Sequence, residues 1–398
     1  MKMYNSMLLT LCSDEFTLCS RGVSQSSWVR FSVEAIIFHS SYELNQFFPL
    51  IESAGQHPHG RDKRWIIQLF QRGFQVPDNF ASYYQIYKWM MAKEKEFPSI
   101  MKVESIGKTY ERMEQYIAKI GEPGVDKPII WIDSGIHGRE WISVTTGVNI
   151  IDKLLNGYKT KDPQVLELLK NFDWYILPVA NPDGYIFTHY RGGRLWRKTR
   201  TNYGNGMYGA DPNRNWDYKW CETGSSRLPN MSSYCGLKPW SEKCVENMKN
   251  TLLSIKSRLR VYLTIHSYGQ FLFVPYAWSA NSYPQDYRQL LSAGQAAAAA
   301  MRKSSGAIYQ VWQSSRLYII SDIVMAHVLD EASGSSMDWV KATLGTKYVF
   351  GLELRPASAE NNLGFIVSRN QIKPVAQEVW EGLKVMAENA KTNDVVFG

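Results

Sequence analysis

Four continuous apolar runs divide the chain into segments whose apolar residues recur at helical spacing. Apolar runs without polar alternation indicate strands that are buried on both faces. Strands of this kind that alternate with amphipathic helices indicate an α/β fold, with helices covering both faces of the sheet. The apolar runs are Ile129–Asp133, Trp174–Val179, Val261–Ile265 and Tyr348–Leu354, and the helical patterns cover Tyr83–Lys95, Val144–Leu155, Gln289–Lys303 and Gln377–Ala390.

The N-terminal part of the chain lacks this regular pattern. It contains short apolar runs, a polar break at Gly55–Lys63 and no sustained period, and the regular order begins near Asn79. We therefore predict two parts, a divergent N-terminal segment of residues 1–76 and a main domain of residues 77–398.

Charge and hydropathy argue against two classes of protein. The formal net charge is +8, but the lysines and arginines are scattered, so nucleic-acid binding is not expected. No stretch approaches the ~18 apolar residues of a membrane span. The apolar stretch Met7–Cys12 is shorter than the ~7–15 residues of a signal-peptide core, so the sequence shows no clear signal peptide.

The cysteine spacing bears on both metal binding and cross-linking. The five cysteines include no Cys-x-x-Cys pair, so a thiolate zinc site is not expected. Three of them lie within Cys221–Cys244, a stretch rich in Ser, Gly and Pro. One disulfide is expected there, with its pairing left open and one cysteine left over.

A His-x-x-Glu motif directly follows the first apolar run. His137 and Glu140 lie three residues apart on a turn that enters a helix, so both can reach one ion. Catalytic zinc takes about three protein ligands and keeps one open position. His266 ends the third apolar run and is the candidate for the third ligand, because functional sites collect at strand ends in α/β sheets. A lone histidine on an apolar strand is more often a hydrogen-bonded core residue than a metal ligand, and a His-x-x-Glu motif alone is common by chance.

Seven motifs occur in order along residues 79–390 and together resemble the pancreatic-type metallocarboxypeptidases, the carboxypeptidase A/B family. This resemblance implies a mixed, mostly parallel twisted sheet of about eight strands with helices on both faces, formed by residues 77–398 as the catalytic domain. The motifs are HGREW at His137–Trp141, NPDGY at Asn181–Tyr185, LWRKTR at Leu195–Arg200, DPNRNW at Asp211–Trp216, IHSYGQ at Ile265–Gln270, ASGSSMDW at Ala332–Trp339 and FGLELRP at Phe350–Pro356.

The resemblance implies one Zn²⁺ per chain, bound by the two histidines and the glutamate named above. It implies that Asp211 orients the first zinc histidine, since such partners fix the tautomer of a ligand. It also implies that Glu353 is the general base. A carboxylate inside an apolar strand otherwise indicates a buried salt bridge, for which Arg355 is the candidate partner.

Substrate-binding residues follow from the same resemblance. Arg197 matches the residue that stabilises the oxyanion, where preorganised charge contributes strongly to catalysis. Asn213 and Arg214 match the pair that binds the terminal carboxylate, a group that a planar guanidinium binds with two hydrogen bonds. Arg139 and Tyr268 resemble residues that contact the peptide upstream.

Met337 matches the residue at the base of the pocket for the C-terminal side chain. An aspartate there would favour Lys or Arg, whereas methionine is apolar and adaptable. The resemblance therefore implies a zinc-dependent exopeptidase that acts on peptide and protein C-termini and prefers aromatic or large aliphatic residues. It further implies a secreted protein that is a monomer.

Two parts of the chain depart from the family pattern. Tyr318 matches a mobile tyrosine beside the pocket, but Ile319–Glu331 then resembles an insertion that could block the cleft. Residues 1–76 match only a truncated or replaced pro-segment, and whether they inhibit the enzyme is left open.

These departures keep two alternatives in view. One is a non-catalytic peptide-binding protein on the same fold, which the presence of Glu353 disfavours, because binding alone needs no general base. The other is a hydrolase of peptide amides or N-acyl amino acids. Asn213 and Arg214 count against amide substrates, because they favour a free carboxylate.

Overall fold

A computed structural model describes residues 75–124, 126–313, 331–360 and 362–392, together with three strands nearer the N-terminus. The chain divides into two compact units, Met1–Phe74 and Gln75–Gly398. In the first unit, β1 (Ser6–Cys12), β2 (Glu15–Arg21) and β3 (Trp28–Ser32) form an antiparallel sheet in that order. The sequence does not predict these strands, because apolar residues do not recur at a sustained spacing in this part of the chain.

The second unit is built on one eight-stranded mixed sheet. Its strands are β4 (Met101–Lys108), β5 (Glu114–Ile120), β6 (Ile129–Ser134), β7 (Asp173–Leu177), β8 (Leu259–Ser267), β9 (Phe271–Val274), β10 (Gln310–Gln313) and β11 (Tyr348–Leu354). The strand order is β10-β9-β11-β8-β6-β7-β5-β4, and the pairs β10–β9, β11–β8, β8–β6 and β6–β7 are parallel. The predicted mixed, mostly parallel sheet is confirmed.

Helices cover both faces of this sheet. The helices are α1 (Tyr83–Glu96), α2 (Trp141–Thr160), α3 (Pro163–Asn171), α4 (Pro182–Thr188), α5 (Lys243–Ser254), α6 (Tyr287–Ser305), α7 (Ser336–Trp339) and α8 (Ile372–Thr392). On one face α2, α6 and α8 pack together. On the other face α5 and the segment around α7 enclose an apolar cluster that includes Trp131 and Trp216.

Local chemistry sets the ends of several helices. Ser82 caps α1 in a capping box, in which its side chain accepts from the backbone of Gln85 and the Gln85 side chain accepts in return. Gly306 ends α6 with a φ of +76°, a conformation that favours glycine. The predicted first helix begins at the observed Tyr83 and ends one residue early, and the other predicted bounds fall two to five residues inside the observed ones.

The central strands bring distant segments together at one edge of the sheet. β8 lies between β6 and β11, and both of its pairings are parallel. The carboxyl ends of these three strands therefore meet, and the register places Glu353 beside His266. This edge is where the sequence predicts the site.

The loop between α4 and α5 contains a disulfide. Cys221 and Cys235 are bonded, with their Cα atoms 5.8 Å apart, and Cys244 is a buried free cysteine. The prediction of one disulfide in this stretch is confirmed, and its open pairing is settled. Across the described residues, none of the helices has the length and apolar character needed to cross a membrane.

Candidate metal centre

The turn after β6 brings a histidine and a glutamate to the end of the strand. The chain leaves β6 through Gly135, whose φ of +66° is left-handed, and Glu140 directly precedes α2. At Gly138 a Cβ would lie 2.5 Å from the carbonyl oxygen of Gly184, so only glycine permits this approach. The N–H of Gly138 also donates to the carbonyl of Arg197 at 3.1 Å, which joins the turn to the segment that carries this arginine.

His137, Glu140 and His266 converge in the interior. His137 Nδ1 lies 2.8 Å from Glu140 Oε1, and His266 Nδ1 lies 3.2 Å from both Glu140 Oε2 and His137 Nδ1. Each residue is at most 5% exposed, and one potential ligand atom of each lies within 4.8 Å of the others. The fold therefore brings together the three residues that the sequence analysis proposed as ligands.

The donor set fits a zinc ion. His137 Nε2 lies 3.1 Å from Asp211 Oδ1, and His266 Nε2 lies 3.2 Å from Thr264 Oγ1, so both Nδ1 atoms face the shared space. Two tetrahedral ligands at the usual Zn–N distance lie about 3.3 Å apart. The 3.2 Å between the Nδ1 atoms of His137 and His266 agrees with this spacing. A zinc ion between these two nitrogens would accept the lone pair of each.

Asp211 supports the first histidine with a full negative charge. Burial opposes its ionisation, but Arg197, His137 and Arg214 hold the pKa of this carboxyl well below its usual range. Burial, followed by the charge of Arg197, lowers the pKa of His137. The neutral imidazole that results is the form that binds a metal.

Glu353 is a buried carboxylate that faces the same edge. Within the described part of the chain its Oε2 has no hydrogen-bond partner. Burial raises the pKa of Glu353 to about 8, against the attraction of His266. A salt bridge with Arg355 is wrong, since Arg355 Nε instead donates to both carboxylate oxygens of Glu378 in α8, at 3.1 and 3.2 Å.

Two arginines share Asp211 on the open side of the cluster. Arg197 donates from Nε and Nη2 to Asp211 Oδ2 at 3.0 and 2.8 Å, and its Nη1 lies 3.9 Å from Glu140 Oε1. Arg214 Nη1 lies 4.0 Å from Asp211 Oδ2, and Arg214 Nε donates to the carbonyl of Gly224 at 2.9 Å. Gly224 belongs to the loop closed by the disulfide, so this loop helps to fix the second guanidinium.

Asn213 joins the arginine loop to the next segment of the site. Its backbone N–H donates to Asp211 Oδ1 at 2.9 Å, and its side-chain oxygen accepts from the N–H of Ser336 at 2.9 Å. Ser336 begins α7, which also carries Met337. The loop of Asn213 and the segment of Met337 are therefore held at a fixed spacing.

Met337 lies on the face of β11 that carries Glu353. Its Sδ is 3.4 Å from the position that a Cβ on Gly351 would take. Gly351 and Glu353 are two residues apart in a strand and share one face. Tyr318 and residues 319–330 of the proposed insertion lie outside the described residues.

Arg139 and Tyr268 meet at a common aromatic ring. The guanidinium of Arg139 lies 3.9 Å from the ring centroid of Phe365, and the ring of Tyr268 lies 4.8 Å from it, edge on. Arg194 donates to the carbonyl of Arg139 at 2.8 Å and fixes its backbone. These residues form one wall beside the candidate ligands.

Two polar residues of the central strands join the site without having been predicted from the sequence. Thr264 contacts His266, and its hydroxyl donates to Asp133 at 2.7 Å. Both lie within the apolar runs that predicted β6 and β8. A polar side chain inside a strand buried on both faces needs a partner, and that signal was present in the sequence.

Comparisons with known proteins agree with this geometry. The family model for zinc carboxypeptidases matches residues 86–382. Carboxypeptidase B of Astacus astacus is 36% identical over 315 residues, which cover 79% of this chain and 97% of that protein. Carboxypeptidase A2 of Rattus norvegicus is 36% identical over 335 residues, which cover 83% of this chain and 75% of that protein.

Solved structures show the same similarity. Bovine thrombin-activatable fibrinolysis inhibitor, in complex with tick carboxypeptidase inhibitor, is 30% identical with a TM-score of 0.70, covering 80% of this chain and 100% of that chain. Carboxypeptidase A from Helicoverpa armigera is 26% identical with a TM-score of 0.70, covering 93% of this chain and 84% of that chain.

Proposed function

The chain belongs to the zinc carboxypeptidase family, and from that premise we propose that it removes aromatic and large aliphatic residues from the C-termini of peptides and proteins. The observation that carries the proposal is the placement of Glu353. Its carboxylate has an oxygen without a hydrogen-bond partner among the described residues and lies beside the His137–Glu140–His266 cluster. Burying a carboxylate in this state costs stability, which favours a chemical role for Glu353.

Glu353 acts as the general base in this proposal. His137, Glu140 and His266 would hold the zinc ion, which would lower the pKa of a bound water toward neutrality and polarise the scissile carbonyl. Glu353 takes the proton of the attacking water and delivers it to the leaving amine. The pKa of about 8 that burial gives Glu353 suits both steps, because a proton carrier works best when its pKa is near the operating pH.

The arginines provide charge for the substrate. The guanidinium groups of Arg139, Arg197 and Arg214 carry three positive charges. The carboxylates of Glu140, Asp211 and Glu353, the acids nearest to them, balance these charges when all three are ionised. A bound Zn²⁺ would leave two positive charges in excess. The terminal carboxylate of the substrate, beside Arg214 and Asn213, would offset one of them. Arg197, nearest to the metal ligands, would face the oxyanion that forms when the proton of the water passes to Glu353.

Replacing Arg214 with Met is expected to lower kcat/KM for a blocked dipeptide with a free C-terminus by about 10- to 100-fold, mainly through KM. Each hydrogen bond to a charged group contributes about 1.5–3 kcal/mol. The same dipeptide as a C-terminal amide lacks the charge and should lose much less. Steady-state kinetics on the acid and the amide measure the difference, and an equal loss on both would contradict the carboxylate role.

Met337 sets the preference for apolar side chains in this proposal. A blocked dipeptide ending in Phe should be cleaved more efficiently than one ending in Arg. Met337→Asp is expected to lower the Phe-to-Arg ratio of kcat/KM by roughly 10- to 200-fold, since a pocket change of this size alters discrimination by that amount. Met337→Leu conserves volume and is the matched control. A ratio that stays unchanged in Met337→Asp would place the specificity pocket elsewhere.

The remaining features are consistent with this function. We propose residues 77–398 as the catalytic domain of a monomer, and residues 1–76 as a truncated or replaced pro-segment. Secretion is supported by the Cys221–Cys235 disulfide, because disulfides persist in oxidising compartments. The non-catalytic alternative has no supporting feature at the described site.

A further inference from the structure

Asp133 is a fully buried carboxylate in the middle of the sheet. It stands opposite Thr264 in the register of β6 and β8. Its Oδ1 accepts from Thr264 Oγ1 at 2.7 Å, and its Oδ2 accepts from Trp131 Nε1 at 2.9 Å. Burial raises the pKa of Asp133, but both of its oxygens meet donors, which favour the ionised carboxylate that accepts at each oxygen. Among the described residues no lysine or arginine forms an ion pair with Asp133.

The hydroxyl of Thr264 lies between this carboxylate and the second histidine of the metal centre. Thr264 Oγ1 lies 3.2 Å from His266 Nε2. A threonine has one hydroxyl proton, and the carboxylate of Asp133 can only accept. The proton is thus donated to Asp133, and Thr264 Oγ1 is left to accept from Nε2–H of His266.

The direction of these bonds fixes the imidazole. With its proton on Nε2, His266 presents the lone pair of Nδ1 to the space shared with His137 and Glu140, each 3.2 Å away. His137 obtains the same tautomer directly from Asp211. Asp211 therefore holds His137 by direct contact, and Asp133 holds His266 through the hydroxyl of Thr264.

We propose that Asp133 and Thr264 are positioning residues, which hold His266 in its metal-binding tautomer through a directed relay from Nε2–H to Thr264 and from Thr264 to Asp133. The proposal rests on the metal centre of the proposed function. Replacing a residue that holds a metal ligand in this way usually weakens metal binding by 10- to 100-fold.

The test compares zinc affinity in three full-length variants. Thr264→Val removes the hydroxyl at almost constant volume, and we expect it to bind zinc 10- to 100-fold more weakly in competition with a chelator. Thr264→Ser keeps the hydroxyl and should remain close to the parent. Thr146→Val is the matched control, because Thr146 is equally buried but its hydroxyl donates to the carbonyl of Ile142 in α2.

Asp133→Asn gives a second route should Thr264→Val fold poorly. The indole N–H of Trp131 can only donate, so the amide oxygen faces Trp131 and the amide NH₂ faces Thr264. The hydroxyl of Thr264 then accepts from the amide and donates toward His266, which favours the wrong tautomer. We therefore expect Asp133→Asn also to weaken zinc binding by at least 10-fold.

The outcomes separate the relay from the metal centre. A parent that binds one zinc per chain, with Thr264→Val and Asp133→Asn binding as tightly as Thr146→Val, would overturn the relay alone. A parent that binds no zinc would overturn the metal centre and the relay together. Weaker binding in both variants, with Thr264→Ser near the parent, supports the relay.

Discussion

Glu353→Gln is expected to lower kcat by about 10²- to 10⁴-fold while the protein still binds one zinc, because the variant loses the proton carrier but none of the ligands. Gln has the shape of Glu and cannot accept a proton at neutral pH. Stopped assays on a blocked dipeptide ending in Phe measure the activity, and metal analysis of the same sample measures the zinc. Activity within a few fold of the parent would exclude Glu353 as the base.

The same variant should also gain stability when the metal has been removed. Burial raises the pKa of Glu353 from 4.5 to about 8. Folding therefore costs free energy above pH 4.5, and the cost grows until about pH 8, where the folded carboxyl ionises. Metal-free Glu353→Gln should have a higher Tm than the metal-free parent at pH 7, with the difference vanishing below pH 4.5. A lower Tm at pH 7 would mean that Glu353 has a structural partner.

Removing zinc is expected to abolish hydrolysis and to lower the stability of the folded chain. Zinc at 100 times its Kd stabilises the native state by about 2.7 kcal/mol when only that state binds it. Without the cation, the Nδ1 atoms of His137 and His266 remain 3.2 Å apart with no metal between them. Activity and Tm across a series of zinc buffers should fall together and recover together when zinc is returned.

Glu353→Gln is the control for this series. Its Tm should respond to zinc removal in the same direction as that of the parent, because it retains all three ligands, although it has no activity to lose. Parent protein that keeps its turnover number after complete chelation would contradict the metal requirement.

The strands that could be predicted are those whose burial leaves a local trace. β6, β7, β8 and β11 are continuous apolar runs, because helices cover both of their faces. β4 lies at the edge of the sheet and is half exposed, and β9 and β10 have four residues each. Strands this short or this exposed depend on their neighbours, and no local pattern identifies them.

The site divides in the same way. His137 and Glu140 are recognisable because both ligands lie on one turn of the chain. The approach of Glu353 to His266 depends on the register between β11 and β8, which no single segment encodes. Asp133 and Thr264 each leave a local signal, a polar side chain in an apolar run, but their pairing depends on the register between β6 and β8.

The bond between Arg355 and Glu378 has a consequence for protein synthesis. β11 carries Glu353, the proposed general base, and Arg355 at its end forms hydrogen bonds with α8, the helix nearest the C-terminus in the described part of the chain. The zinc ligands leave the ribosome well before this strand and helix. Translation proceeds from the N-terminus, so the enzyme completes its catalytic centre only when almost the whole chain is available to fold.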